Sequence, residues 1–337
     1  MKPLVLVTGG NGFLAEHLLQ RLLTAGYPVR ATLRTLAKAD QVKQALAAQH
    51  VAHLDRLTFV TADLTRDADW PVAMQGVGIV LSVAAPVFVN GETVDNTVTQ
   101  AAKEGTLRIL KAAEQAGVKR VVMTGNLGAV GFSRLDHSRP VTEADWTDPD
   151  QPGLSLYETS KLIAEQSAWT YMQQSASSMT LTTVNAGAML GPALDQHVSG
   201  SFGLVDRLLK GQATPNLGVN IVDVRDVADL QLRAMTDPAA AGERFLAVAD
   251  TGVTTQQMIQ LIRTKRPTLA PQLPQHLIPK AVVSLIAPFN ATVREARLMM
   301  RLNHQVSNQK AQRLLGWQPQ YTSDDTILAA VDQLTQK

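Results

Sequence analysis

The strongest constraint in this sequence is a glycine turn with a strand before it and a helix after it. Residues 4–8 form a short apolar run, and Gly9, Gly10 and Gly12 follow it. From 11 to 25 the leucines Leu14, Leu18 and Leu22 recur every four residues, with Glu16, Gln20 and Arg21 on other faces, the period of an amphipathic helix. Residues 10–15 fit G-x-G-x-x-[GA], and residues 8–15 fit T-G-x-x-G-x-x-[GA]. Glycines let the backbone approach a pyrophosphate, and the first amides of the helix, with its dipole, oppose the negative charge. Gly26 is placed to cap that helix, and residues 28–34 read as a second strand.

The same alternation continues. Helices are expected near 39–49, 67–75, 94–116 and 154–174, and strands near 57–61, 78–83, 120–124 and 179–184. The 120–124 run lacks polar alternation, as strands of parallel sheets do when both faces are covered. The fold class is therefore α/β, a Rossmann-type doubly wound parallel sheet. Beyond residue 190 the pattern loosens into prolines and short helical stretches. It returns to strand then helix over 220–235. We expect a dinucleotide-binding domain of residues 1–190 plus about 219–240, interleaved with a smaller substrate-binding lid of 191–218 plus 241–337. The apolar stretches 76–89 and 282–289 are too short to span a bilayer and read as a buried strand and a core helix.

Composition narrows the chemistry. The 31 basic and 29 acidic residues nearly cancel and form no basic stripe, so neither a nucleic acid nor a membrane surface is an expected partner. Cysteine is absent, which removes thiolate metal sites and cysteine nucleophiles and fits a reducing cytoplasm. Glycines 9, 10 and 12 interrupt what would be the apolar core of a leader peptide, so none is expected. No residue is assigned to a metal, and redox chemistry has to come from a cofactor.

Two further features point to that cofactor and its use. An acid about 20 residues past the glycines would grip the ribose of NAD, yet residues 26–39 contain none. Arg34, with Lys38, suits the 2′-phosphate of NADP instead, because a guanidinium pairs with phosphate oxygens and stacks on adenine. NADP is expected over NAD. Tyr157 and Lys161 stand four apart, on one face of a helix, where an ammonium can stabilise a phenolate and bring the phenol down toward neutrality. Tyr157 could then protonate a carbonyl oxygen as hydride arrives.

With these residues in view the chain resembles the extended short-chain dehydrogenase/reductase (NAD-dependent epimerase/dehydratase) superfamily. The likeness is to the dihydroflavonol-reductase branch, with its cinnamoyl-CoA reductases and yeast-type methylglyoxal or aldehyde reductases. It rests on residues 7–15, Ala31-Thr32-Leu33-Arg34, Ala62-Asp63-Leu64, Val83-Ala84-Ala85-Pro86, Tyr157 through Glu165, Gly191-Pro192, residues 222–228, Gly242 through Phe245 and Leu315-Gly316-Trp317. The resemblance implies that Gly9, Gly12, Phe13 and Leu14 hold the pyrophosphate, Arg34 the 2′-phosphate, and Asp63 with Leu64 the adenine. Val83, Ala84, Ala186 and Met189 would border the nicotinamide, and Lys161 would also bind its ribose.

One departure is marked. Relatives carry Thr-Ser-Ser where this chain has Thr124-Gly125-Asn126, so the catalytic serine is missing. Asn126 can offer an amide donor in its place, with Thr124 as fallback. Asp223, Arg225 and Asp226 read as a capping and salt-bridge cluster. His137, His197 and His304 receive no role. The expected activity is hydride transfer from NADPH to the carbonyl of a small aldehyde or ketone. An NAD-dependent nucleotide-sugar epimerase or dehydratase, and an NADP-binding sensor without chemistry, stay open beside it. Oligomeric state is not legible.

Overall fold

The computed structural model describes residues 2–84, 96–249 and 251–336. Ala85 and Pro86 of the quoted motif, and the rest of the 87–95 loop, lie outside the described residues. Strands and helices alternate as β1 (Leu4–Val7), α1 (Phe13–Thr24), β2 (Val29–Leu33), α2 (Ala39–Ala48), β3 (Leu57–Thr61), α3 (Trp70–Met74), β4 (Val77–Ser82), α4 (Asn96–Gln115), β5 (Arg120–Asn126), α5 (Gly128–Gly131), α6 (Leu156–Gln174) and β6 (Thr180–Ala186). The second half adds β7 (Ala188–Leu190), α7 (Phe202–Leu209), β8 (Gly218–Val219), β9 (Ile221–Asp223), α8 (Val224–Thr236), β10 (Arg244–Ala247), β11 (Val253–Thr254) and α9 (Thr255–Lys265). Helices α10 (Lys280–Ile286), α11 (Ala291–Met299), α12 (Gln309–Leu315) and α13 (Ser323–Thr335) complete it.

Seven strands form one parallel sheet in the order β10-β6-β5-β4-β1-β2-β3. The order reverses between β1 and β4, and at such a switch point the connections leave to opposite faces and open a crevice at the strand ends. Apolar residues, mostly β-branched, explain the burial: Val5, Leu6, Val7, Val29, Val80, Leu81, Val121 and Val122 are fully enclosed. Helix α1 adds Leu14, Leu18 and Leu22 to one side of the core, and α4 and α6 pack on the other, where Ile109, Leu110, Ala164 and Ala168 meet Val80 and Val121.

Three expectations change. Strand β5 runs two residues beyond 124 because Gly125 and Asn126 stay in register with Asn185 and Ala186. The sheet's seventh strand, β10, lies past the expected domain edge at 240, pairing Phe245 and Leu246 with Val184 and Asn185. Its Arg244 is carried into the interior by a buried partner, Glu165, at 2.9 Å. Helix α10 exists but is not a core helix: Leu285 is 74% and Ile286 42% exposed. Among the described residues, no helix is long and apolar enough to cross a membrane.

Candidate active site

The glycine turn is built as a cradle. Gly9 takes φ +67°, and Gly10 passes so near β2 that an added Cβ would sit 2.6 Å from the Ala31 Cβ. Thr32 Oγ1 accepts from the Gly9 amide at 2.9 Å, and the Gly10 amide donates to the Thr32 carbonyl at 2.8 Å. Thr8 Oγ1 accepts from the amides of Val83 (2.9 Å) and Ala84 (2.8 Å), pinning the end of β1 to the end of β4 across the switch point. Helix α1 begins after Gly12 with no side-chain cap, so its first amides are left for an anion. Neither threonine was given a role from sequence, although both stand inside the quoted motifs.

Around the cradle, Phe13 and Leu14 are buried on the α1 side. Arg34 and Lys38 are exposed past the end of β2. Asp63, just beyond β3, is held below the usual carboxylate range mainly by hydrogen bonds from the Thr65 hydroxyl and amide, with Arg34 and Arg66 adding to the effect. Leu64, Ser82, Ala84, Thr106, Thr124 and Lys161 line a cavity between the strand ends, α4 and α6. Ala186 is buried at the end of β6, where its carbonyl accepts from the Leu127 amide at 2.8 Å, and Met189 is half-buried on β7. Glycine cradle, uncapped helix and exposed cations fit a phosphorylated dinucleotide.

Glu16 sits in the first turn of α1, nearly fully buried, with Oε1 lacking a partner. Burial, then the neighbouring Asp195 carboxylate, pushes it up to about 8.

Helix α6 carries the acid/base residues. Ser155 caps it, accepting from the Glu158 amide at 3.4 Å, and this puts Tyr157 in the first turn and Lys161 one turn later. Lys161 Nζ lies 5.7 Å from the Tyr157 ring centroid, and burial lowers its ammonium to about 8. The Asn126 amide nitrogen is 3.5 Å from the Tyr157 hydroxyl. Asn126 Oδ1 accepts from the Gly128 amide at 2.6 Å, which fixes the side chain so that its NH2, the donor, faces the phenol. The Thr124 hydroxyl accepts from Gln231 Nε2 at 2.7 Å.

One electrostatic expectation is corrected for the protein alone. The Tyr157 phenol stands above its ordinary value, not below it. Lost hydration comes first and the Glu158 carboxylate second, with the Asn126 hydrogen bond opposing them. Asp223 does cap α8, accepting from the Arg225 amide at 2.9 Å, and binds the Arg225 guanidinium at 2.8 Å through both oxygens. His304 spans the Met299 carbonyl (3.1 Å) and Asn220 (3.4 Å), a structural bridge.

The model of the NAD dependent epimerase/dehydratase family matches residues 5–247. An anthocyanidin reductase of Vitis vinifera is 30% identical over 75% of this chain and 78% of its own. A dihydroflavonol 4-reductase of Zea mays is 30% identical over 79% and 75%. Among solved structures, yeast methylglyoxal/isovaleraldehyde reductase Gre2 complexed with NADPH superposes with a TM-score of 0.80 over 98% of both chains at 23% identity. The match to the family model extends from β1 through β10, the whole parallel sheet with its glycine cradle and its Tyr-Lys helix, and this chain belongs to the NAD dependent epimerase/dehydratase family.

Proposed function

We propose that this protein is an NADPH-dependent carbonyl reductase acting on a small aldehyde or ketone. The observation that carries the reading is the Tyr157 hydroxyl held within reach of a donor amide on Asn126, on the helix whose Lys161 lines the cavity between the strand ends, α4 and α6. NADPH supplies the hydride when bound. Gly9, Gly12, Phe13 and Leu14 would hold its pyrophosphate, Arg34 and Lys38 its 2′-phosphate, Asp63 and Leu64 its adenine, and Val83, Ala84, Ala186 and Met189 would flank the nicotinamide. Lys161 would bind the ribose, Asn126 would polarise the substrate carbonyl and Tyr157 would deliver the proton. Segments 191–218 and 248 onward would cover the substrate. The relatives named above are reductases by their descriptions, and Gre2 was crystallised with NADPH; both support the reading. We place the protein in the cytoplasm on its lack of cysteine.

Two experiments test it. Loss of NADPH absorbance should follow addition of aldehydes or ketones, and Tyr157→Phe should abolish it while leaving NADPH binding within about twofold. Arg34→Asp should weaken NADPH by at least ~10-fold and leave NADH nearly unchanged, since a charge-assisted phosphate contact contributes roughly 1.5–3 kcal/mol. NADPH binding without turnover on any carbonyl would indicate a sensor instead, and equal losses for both cofactors would remove Arg34 from the 2′-phosphate.

A further inference from the structure

Asn185, the last residue but one of β6, is fully buried, and its side-chain amide reaches in two directions. Nδ2 donates to the Asn126 backbone carbonyl at 3.1 Å and to Glu165 Oε2 at 2.5 Å. Both partners only accept, so the NH2 and not the amide oxygen has to face them. Glu165 follows Tyr157 and Lys161 at steps of four, which puts all three on one stripe of α6. A single amide thus joins the strand end that carries Asn126 to the helix that carries Tyr157. The joint falls where the sheet gives less support, because β4 pairs with β5 only as far as Met123, and Thr124, Gly125 and Asn126 are paired with β6 alone. Asn126 is held twice, its backbone carbonyl by Asn185 and its Oδ1 by the Gly128 amide, and the NH2 that remains faces the Tyr157 hydroxyl at 3.5 Å.

Two further observations point to placement rather than to stability. Asn185 Oδ1 is buried without a partner among the described residues, a cost that an apolar side chain of that size would avoid. Gly125 lies against the same amide: a Cβ there would come within 2.9 Å of Nδ2, 3.0 Å of Cγ and 3.1 Å of Oδ1. Gly125 and Asn126, the two departures from the serines that the resemblance leads one to expect, are therefore joined through Asn185.

We propose that Asn185 is a positioning residue that sets the distance between the Asn126 donor amide and the Tyr157 hydroxyl by tying the Asn126 carbonyl to Glu165 of α6, and that residue 125 is glycine to let it do so. This rests on the reading of Asn126 as the group that polarises the substrate carbonyl. Misplacing such a group by about 1 Å costs up to ~10²-fold in rate. A bond that only holds the fold together adds its loss whatever side chain stands at 126.

The test is a double-variant cycle read in carbonyl reduction with NADPH. Asn185→Ala should lower kcat about 10-fold with KM for NADPH within about twofold, and should cost nothing further in the Asn126→Ala background, where no donor is left to place. Gly125→Ala keeps the Asn185 amide and only presses on it; it should show the same loss, again absent beside Asn126→Ala, and it carries the test if Asn185→Ala is too unstable to assay. With neither cofactor nor turnover, tyrosinate absorbance taken as the difference from Tyr157→Phe should titrate at higher pH in Asn185→Ala, as in Asn126→Ala, since each loses the hydrogen bond that favours phenolate. Losses that multiply when Asn185→Ala and Asn126→Ala are combined, or an Asn185→Ala protein with the parent's kcat and tyrosinate titration, would overturn the proposal. Asn126→Ala as active as its parent would overturn the donor assignment instead, and the tyrosinate titration would still decide whether Asn185 places the amide.

Discussion

At the scale of single residues, the proposed chemistry turns on Asn126, which stands where the family resemblance leads one to expect a serine. A hydroxyl rotates to meet its acceptor, whereas an amide has to be held, and the 2.6 Å bond from the Gly128 amide to Oδ1 does that holding. The replacement therefore brings its own orienting contact, and Gly128 leaves room for it, since a Cβ there would lie 2.6 Å from Oδ1. Asn126→Ala should lower kcat by ~10²-fold, the usual loss for one donor to a developing oxyanion, with NADPH affinity unchanged by fluorescence titration. Asn126→Ser should recover most of the rate. Equal activity of Asn126→Ala and its parent would pass the role to another group. The amide's candidacy was legible in the sequence from its place after the buried strand. The sense of the phenol's shift was not, because Tyr-x-x-x-Lys spacing shows the lysine and hides how much water both groups lose.

At the scale of elements, strands were readable where both faces are apolar and unreadable where a strand is short and charged. β1, β2 and β4 follow their apolar runs to within a residue or two, because burial on both faces demands such side chains, and β3 does so at the sheet edge, with Thr58 exposed. β10 opens with Arg244, and its place in the sheet depends on Glu165 of α6, distant in sequence. Arg244 also donates to the carbonyls of Glu143 (2.7 Å) and Asp145 (3.0 Å) and lies 3.5 Å over the Trp146 ring. Thr183 and Asn185 of β6 donate to the Glu165 carboxylate at 2.9 and 2.5 Å. This network ties the sheet edge to the helix that bears Tyr157. Removing one member of a buried pair strands the other charge, so Glu165→Ala should cost about 3–5 kcal/mol, measured as a fall in the urea midpoint. A cost below ~1 kcal/mol would make the network no stronger than a surface pair. Helix α10 errs the other way: apolar residues at 282, 285 and 286 share a face, and periodicity tells that a face is apolar without telling what covers it.

At the scale of the whole molecule, buried acids give stability an unusual slope with pH. Glu16, Glu158 and Asp226 are raised to about 8, 7 and 6, in each case chiefly by burial, against ordinary values of 4.5, 4.5 and 3.8. Between those ordinary values and the folded ones the native state holds more protons than the unfolded chain, so stability falls as pH rises. His17 runs against this below 6.5, since burial lowers it to about 4 and the unfolded chain then binds the extra proton. Above 6.5 the histidine no longer contributes; Glu16 and Glu158 dominate up to about 8, where Lys161, lowered by burial to about 8, begins to oppose them because the unfolded chain then holds the extra proton. The melting midpoint should accordingly drop by a few degrees from pH 6.5 to 8.5, a window in which paired carboxylates leave most proteins level. Glu16→Gln, which keeps the size and neutrality of the protonated acid, should flatten much of that drop without lowering the midpoint at pH 6.5. A parent midpoint that is level or rising across the window would mean that Glu16 is ionised in the fold.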